Sequence, residues 1–213
     1  MNRVWLPGWH ANSQIFDELR AELGADTDER VLSFADTALS RADWLTEQVA
    51  ALDEGVTLVG WSLGGMLACE LASLSAKVKA VFVLNANLQF AGAAGLDSGV
   101  ADAFMARYRI NPVATRGRFA QLVDPVRSGF MMPFLLAGDQ LASLHWLYEI
   151  DLRQQPIACP VHLLLAHDDL LVPFGSARQV WAGKASSVTA MAGHHSLPLS
   201  APRRVADWIK EHG

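Results

Sequence analysis

Six short runs of the chain are rich in β-branched and aliphatic residues: Arg3–Leu6, Arg30–Phe34, Val56–Gly60, Val78–Asn85, Val161–Ala166 and Ser187–Met191. Several are apolar at odd and even positions alike. A strand that is apolar on both faces must be covered on both, which is the situation of a strand inside a parallel sheet. The segments between them have the length of crossover helices, and five carry apolar residues at three- and four-residue spacing: 13–23, 41–52, 63–74, 175–182 and 202–211. Strand and helix in alternation predict an α/β protein with an open, doubly wound, mostly parallel sheet.

The alternation stops between Asn87 and Gln155. Here helix-like patterns are punctuated by Asn111-Pro112, Asp124-Pro125 and Met132-Pro133. A structureless loop of this length is improbable inside a compact domain, so the segment is predicted to form helices of its own. The expected organisation is a core made of residues 1–86 and 156–213, with residues 87–155 inserted as a helical cap. The small residues from Ala91 to Gly95 predict a loose connection where the cap leaves the sheet. No fixed-period repeat or low-complexity tract interrupts this scheme.

At 213 residues and 51% apolar content, a single domain can bury a large core without covalent cross-links. The two cysteines, Cys69 and Cys159, are too few for a disulfide framework and stand at no metal-ligand spacing; both are expected to be buried apolar residues in a reducing compartment. A formal net charge of −5 argues against nucleic acid as a partner. The uncharged stretch from Gly55 to Cys69 is shorter than the ~20 residues a spanning helix needs, so no membrane segment is predicted. The first eight residues show no secretory pattern before Pro7-Gly8. A monomeric cytoplasmic protein is expected.

The chemistry is concentrated at Gly60-Trp61-Ser62-Leu63-Gly64-Gly65, which follows an apolar strand and opens an apolar-periodic helix. This is Gly-x-Ser-x-Gly in strand-turn-helix context. A serine at the tip of such a turn is strained, and only glycine at the flanking positions lets strand and helix pass closely enough to expose its hydroxyl. Ser62 is therefore the candidate nucleophile. A hydroxyl needs a base, and the base an orienting carboxylate. Later in the chain, the strand at 161–166 runs into His167-Asp168-Asp169, and His194 and His195 stand side by side. A carboxylate just past a strand's C-terminal end reaches the ligand-facing edge of an open sheet. Ser62, Asp169 and His195 compose a complete triad in the chain order this turn requires. Two N–H groups are expected to receive an oxyanion: that of Leu63, after the serine, and that of Trp9, after the Pro7-Gly8 turn. His10, the next residue, could touch substrate or cap a loop.

Pro7-Gly8-Trp9, Gly60-Trp61-Ser62-Leu63-Gly64-Gly65, Asp169-Leu170-Leu171-Val172-Pro173 and His195-Ser196-Leu197-Pro198-Leu199-Ser200-Ala201-Pro202 resemble the corresponding blocks of the α/β-hydrolase superfamily. Within it, the Gly-Trp-Ser-Leu-Gly-Gly block together with Asp151-Leu152-Arg153-Gln154 is similar to pimeloyl-[acyl-carrier protein] methyl ester esterases of biotin synthesis. The resemblance selects Asp169 over Asp168, four residues before the Pro of Asp-x-x-Val-Pro, and His195 over His194, seven before the Pro of Leu-Ser-x-Pro. It implies a serine carboxylesterase without metal or organic cofactor on an α/β-hydrolase fold, from which this sequence is expected to depart by starting at the oxyanion strand, without the usual N-terminal hairpin. It also implies an acidic acyl-carrier protein as partner. Between residues 102 and 127, Arg107, Arg109, Arg116, Arg118 and Arg127 stand against only Asp102 and Asp124, a local positive excess suited to such a partner or to a solvated helix face. Phe104, Phe119, Leu122, Phe130, Met131, Met132, Phe134 and Trp146 line an acyl pocket or pack the cap. Rival readings are a general short-chain acyl esterase, an enzyme of menaquinone synthesis on a related fold, and a non-catalytic ligand receptor.

Overall fold

The computed structural model describes residues 2–24, 29–35, 37–93 and 95–213. In chain order the elements are β1 (Arg3–Leu6), a 3-10 turn (Ser13–Phe16) running into α1 (Asp17–Glu22), β2 (Arg30–Val31), α2 (Arg41–Ala51), β3 (Val56–Trp61), α3 (Leu63–Leu74) and β4 (Val78–Leu84). There follow α4 (Ser98–Ile110), α5 (Pro112–Val123), α6 (Ser128–Met131) with a 3-10 turn (Met132–Phe134), and α7 (Leu141–Glu149). The chain closes with β5 (Val161–Ala166), α8 (Phe174–Trp181), β6 (Ser187–Met191), α9 (Leu197–Ser200) and α10 (Pro202–His212).

The six described strands form one sheet in the order β2-β1-β3-β4-β5-β6, and every neighbouring pair is parallel. The expected antiparallel minority is therefore absent among the described strands. Helices pack on both faces, which is why β1 and β3 are buried at every residue and β4 at all but Lys79. The chain runs from β1 outward to β2 and then crosses back over β1 to β3, so the strand order reverses between β1 and β3. The crevice beyond the carboxyl ends of two such strands is where open α/β sheets bind ligands. Here those ends carry the Pro7-Gly8 turn and Ser62.

The predicted second strand, 30–34, pairs only at Arg30 and Val31. Leu32 still donates its N–H to Trp5 O, at 2.8 Å, but the chain then leaves the sheet and buries Phe34 against Trp44 and Trp146. The apolar residues that imitate a strand there serve helix packing. The predicted helix at 13–23 is divided, its first turn being 3-10 and capped by Asn12, whose side chain accepts from Gln14 N. Cys69 is buried as expected; Cys159 is only half-buried.

Between β4 and β5 the chain is helical. Asp97 caps α4 by accepting from Gly99 N and Val100 N, and Asn111 caps α5, with Pro112 at its first position. Asn111-Pro112 thus ends one helix and starts the next. Of the connection expected at 91–95, Ala94 lies outside the described residues; around it Leu96 N bonds Phe90 O and Gly92 N bonds Leu96 O, closing a turn. Among the described residues no helix is long and apolar enough to cross a membrane.

Candidate active site

Ser62 joins β3 to α3 with φ 55° and ψ −123°, a left-handed conformation that a residue with a Cβ adopts only under constraint. The constraint is steric and comes from the glycines. A Cβ on Gly60 would stand 2.3 Å from Gly64 O, and one on Gly64 would stand 2.0 Å from Leu6 O and 2.4 Å from Pro7 O. Strand β3, helix α3 and the turn after β1 therefore touch backbone to backbone, with Ser62 at their junction. Its N–H is tied to Leu84 O at 2.9 Å.

The turn after β1 lies directly against this elbow: a Cβ on Gly8 would meet the Trp61 ring at 2.7 Å and Ser62 Cβ at 3.1 Å. Among the described residues, neither the Trp9 N–H nor the Leu63 N–H donates a hydrogen bond. Trp9 is held by its indole, which donates to Gln140 O at 3.0 Å, and by the rings of Phe104, Tyr108 and Phe119. His10 follows at φ 65°, buried, with Nε2 3.2 Å from the Tyr108 hydroxyl. That hydroxyl oxygen accepts from Gln140 N at 2.7 Å. Burial, then the charge of Arg116, lowers the pKa of His10 to about 4. Its ring packs edge-on against Trp9 and Tyr108.

Asp169 and His195 meet across the carboxyl end of β5. His195 Nδ1 lies 2.7 Å from Asp169 Oδ2, both groups fully buried. The other carboxylate oxygen accepts from Leu171 N and Val172 N, each at 2.8 Å. Asn85, the residue after β4, donates its Nδ2–H to Asp169 Oδ2 at 2.7 Å. Four donors thus fix the carboxylate, and its geometry places the imidazole proton on Nδ1. His195 Nε2 is buried and has no hydrogen-bond partner, so it is not bonded to Ser62 Oγ. The His195 carbonyl accepts from Trp61 Nε1 at 2.7 Å, and the two rings lie 5.2 Å apart. The residue before Ser62 thereby holds the backbone of His195. The neighbours passed over, Asp168 and His194, bond each other instead, His194 Nδ1 lying 3.1 Å from Asp168 O.

Ser62 opens into a cavity of ≈ 110 Å³ whose wall is almost wholly apolar, including Trp9, Met66, Phe104, Phe119, Leu122 and the Leu170–Val172 segment that follows Asp169. Phe104, Phe119 and Leu122 thus line the space, whereas Met131 and Trp146 are buried in the core and Phe130 is exposed. The arginines do not form one cluster. Arg107 and Arg118 are exposed and line a groove of ≈ 400 Å³ between α4 and α5 that shares Val100, Phe104 and Leu122 with the cavity. Arg109 is exposed, 3.4 Å from His145 Nε2, and Arg127 lies over Phe130 beside Asp124. Arg116 turns inward, donating to Leu136 O at 3.0 Å. Over the full 87–155 segment six arginines are matched by six acidic residues, so the positive excess is confined to α4 and α5.

Two contributors to this site were given no role by the sequence: Asn85, which holds Asp169, and the indole of Trp61. The signal for Asn85 was present in its type and place, since Asn tolerates positive φ and ends an otherwise apolar strand; it has φ 49°.

The fold and this arrangement define an α/β hydrolase. The family model described as the alpha/beta hydrolase family matches residues 4–208, and the chain belongs to that family. No curated protein sequence matches the chain. Among solved structures, a hydrolase from Oleispira antarctica has 12% sequence identity and a TM-score of 0.83, covering 100% of this chain and 90% of its own. A bromoperoxidase from Bacillus anthracis has 16% identity and a TM-score of 0.81, over 99% and 91%. An esterase from Rhodococcus has 18% identity and a TM-score of 0.71, over 99% and 90%. At these identities the likeness is one of fold.

Proposed function

We propose that the chain is a serine carboxylesterase in which Ser62 is the nucleophile, His195 the general base and Asp169 the group that orients and stabilises the imidazole. The observation that carries this reading is the buried 2.7 Å contact of His195 Nδ1 with Asp169 Oδ2. It leaves Nε2 as the basic nitrogen. Ser62 Oγ attacks the ester carbonyl as its proton passes to His195 Nε2; the oxyanion is received by the N–H groups of Trp9 and Leu63; the imidazolium returns the proton to the leaving alcohol; water then cleaves the acyl-enzyme by the same route.

The specific substrate we propose is the methyl ester of a pimeloyl-[acyl-carrier protein]. Support comes from the Gly60–Gly65 and Asp151–Gln154 blocks, from the apolar cavity, and from exposed Arg107 and Arg118 on the adjoining groove. The modest cavity volume favours the rival reading, a general short-chain acyl esterase. Ser62→Ala is expected to lower turnover of p-nitrophenyl acetate by about 10³-fold or more, and unchanged turnover removes the nucleophile assignment. Arg107→Glu with Arg118→Glu should impair the carrier-bound ester and spare the small one. Equal effects on both would leave the short-chain reading in possession.

A further inference from the structure

We propose that Asp124 is a positioning residue for His195, through which the helical segment above the cavity sets the alignment of the base. Asp124 caps the C-terminus of α5 and is buried. Its Oδ2 accepts from Ser196 Oγ at 2.7 Å, and its Oδ1 from Val126 N and Arg127 N at 3.2 and 2.9 Å. Burial pushes its pKa up, but the bonds from Ser196 and Arg127 N–H and the charges of Arg127 and His194 outweigh this, and the carboxyl lies below its ordinary value. A charged carboxylate is thus buried against the residue that follows His195.

Ser196 is also the start of α9, its carbonyl accepting from Leu199 N and Ser200 N. The backbone around His195 is therefore held at two points. One is the Trp61 indole on the His195 carbonyl, which belongs to the elbow; the other is Asp124 on Ser196, which belongs to α5. Phe119 and Leu122, on the same helix just before Asp124, line the cavity over Ser62. An acyl group that fills the cavity bears on these two side chains, and their helix ends in the carboxylate that holds the neighbour of His195. Packed helices transmit such displacements because close-packed interiors do not absorb them. His195 Nε2, buried and without a hydrogen-bond partner, is the atom whose alignment this controls. The consequence is that acyl-chain length governs kcat and not KM alone.

The proposal rests on the reading of Ser62 and His195 as nucleophile and base, and the experiment separates the two. kcat and KM are measured on p-nitrophenyl acetate, butyrate and hexanoate for the wild type, Ser196→Ala, Ser196→Thr and a Ser62→Ala blank. Wild-type kcat is expected to rise with chain length. Ser196→Ala should flatten that rise, losing about tenfold in kcat on the hexanoate with KM within about twofold, and Ser196→Thr should restore it. Should the alanine variant not fold, Ser196→Cys, close in size and a weak donor, is judged by the same criteria. A Ser196→Ala profile parallel to wild type, or a wild-type kcat indifferent to chain length, overturns the role of Asp124. Activity surviving in Ser62→Ala overturns the underlying triad instead.

Discussion

Asn85 stands at φ 49° and donates to the same Asp169 oxygen that faces His195 Nδ1. Two substitutions divide its roles. Asn85→Gly removes the donor and accepts the backbone; Asn85→Ala removes the donor and keeps a Cβ in the left-handed region without the local side-chain bonding that lets Asn adopt it, at a cost of at most about 1–2 kcal/mol. The lost bond to a charged acceptor is worth about 1.5–3 kcal/mol, but the side chain also buries Oδ1 without a partner, at a cost of about 1–3 kcal/mol that both variants recover. The two terms nearly cancel. Glycine adds an entropic penalty of about 0.5–1 kcal/mol, so Asn85→Gly should fall within about 1–2 kcal/mol of wild type and Asn85→Ala somewhat below it. Catalysis should behave differently. Both variants free the carboxylate on one side, and a small displacement of Asp169 carries to the imidazole, so each should lose about 10- to 100-fold in kcat. Urea melts followed by tryptophan fluorescence give the stabilities, and p-nitrophenyl acetate hydrolysis the rates. Wild-type kcat in Asn85→Gly would falsify the positioning role; rates that track the stability difference between the variants would assign the effect to the backbone.

Gly64→Ala drives a Cβ into two carbonyl oxygens of the turn after β1, so α3 and that turn must part. We expect a loss of about 1–3 kcal/mol in stability by urea melt and, through the displaced Trp9 N–H, about 10²–10³-fold in kcat; wild-type kinetics would show that the turn does not serve the oxyanion. His10 gives a pH dependence. The unfolded chain takes up its proton near pH 6.5 and the folded one only near pH 4, so stability is lost as pH falls through this window, by about 3 kcal/mol at roughly 1.36 kcal/mol per unit. His10→Asn, which tolerates the positive φ, should flatten the decline between pH 6.5 and 4 in urea melts, and an unchanged slope would move the acid sensitivity elsewhere.

The strands were legible because short apolar or alternating runs stand between turn signals: β1, β5 and β6 begin and end where the pattern places them, and β3 and β4 differ by one residue. The pattern misled at 32–34, where Leu32 and Phe34 are buried by helices off the sheet edge, since alternation reports burial and not pairing. Ser62 could be read because backbone crowding at Gly60 and Gly64 dictates its neighbours, whereas Asp169 and His195 were separated from Asp168 and His194 only by the resemblance of their blocks to those of a known family. The partners of Asn85 and Asp124 could not be read. Each acts through a single side-chain bond to a residue far along the chain, and no local spacing encodes a partner 84 or 72 residues away. Arg116 looked like its neighbours in the sequence because composition does not say which arginine on a helix points inward.

The crossing of the chain from β2 over β1 to β3 bears on how the molecule assembles. The unit β3–α3–β4 is local, spanning residues 56–84, and can condense early with the serine turn already formed. By contrast, Asp169 and His195 enter from β5 and β6, so their pairing with that turn waits on closures over more than 80 residues, which are slow in parallel topologies. On refolding from denaturant, recovery of hydrolytic turnover should therefore lag behind recovery of helical circular dichroism.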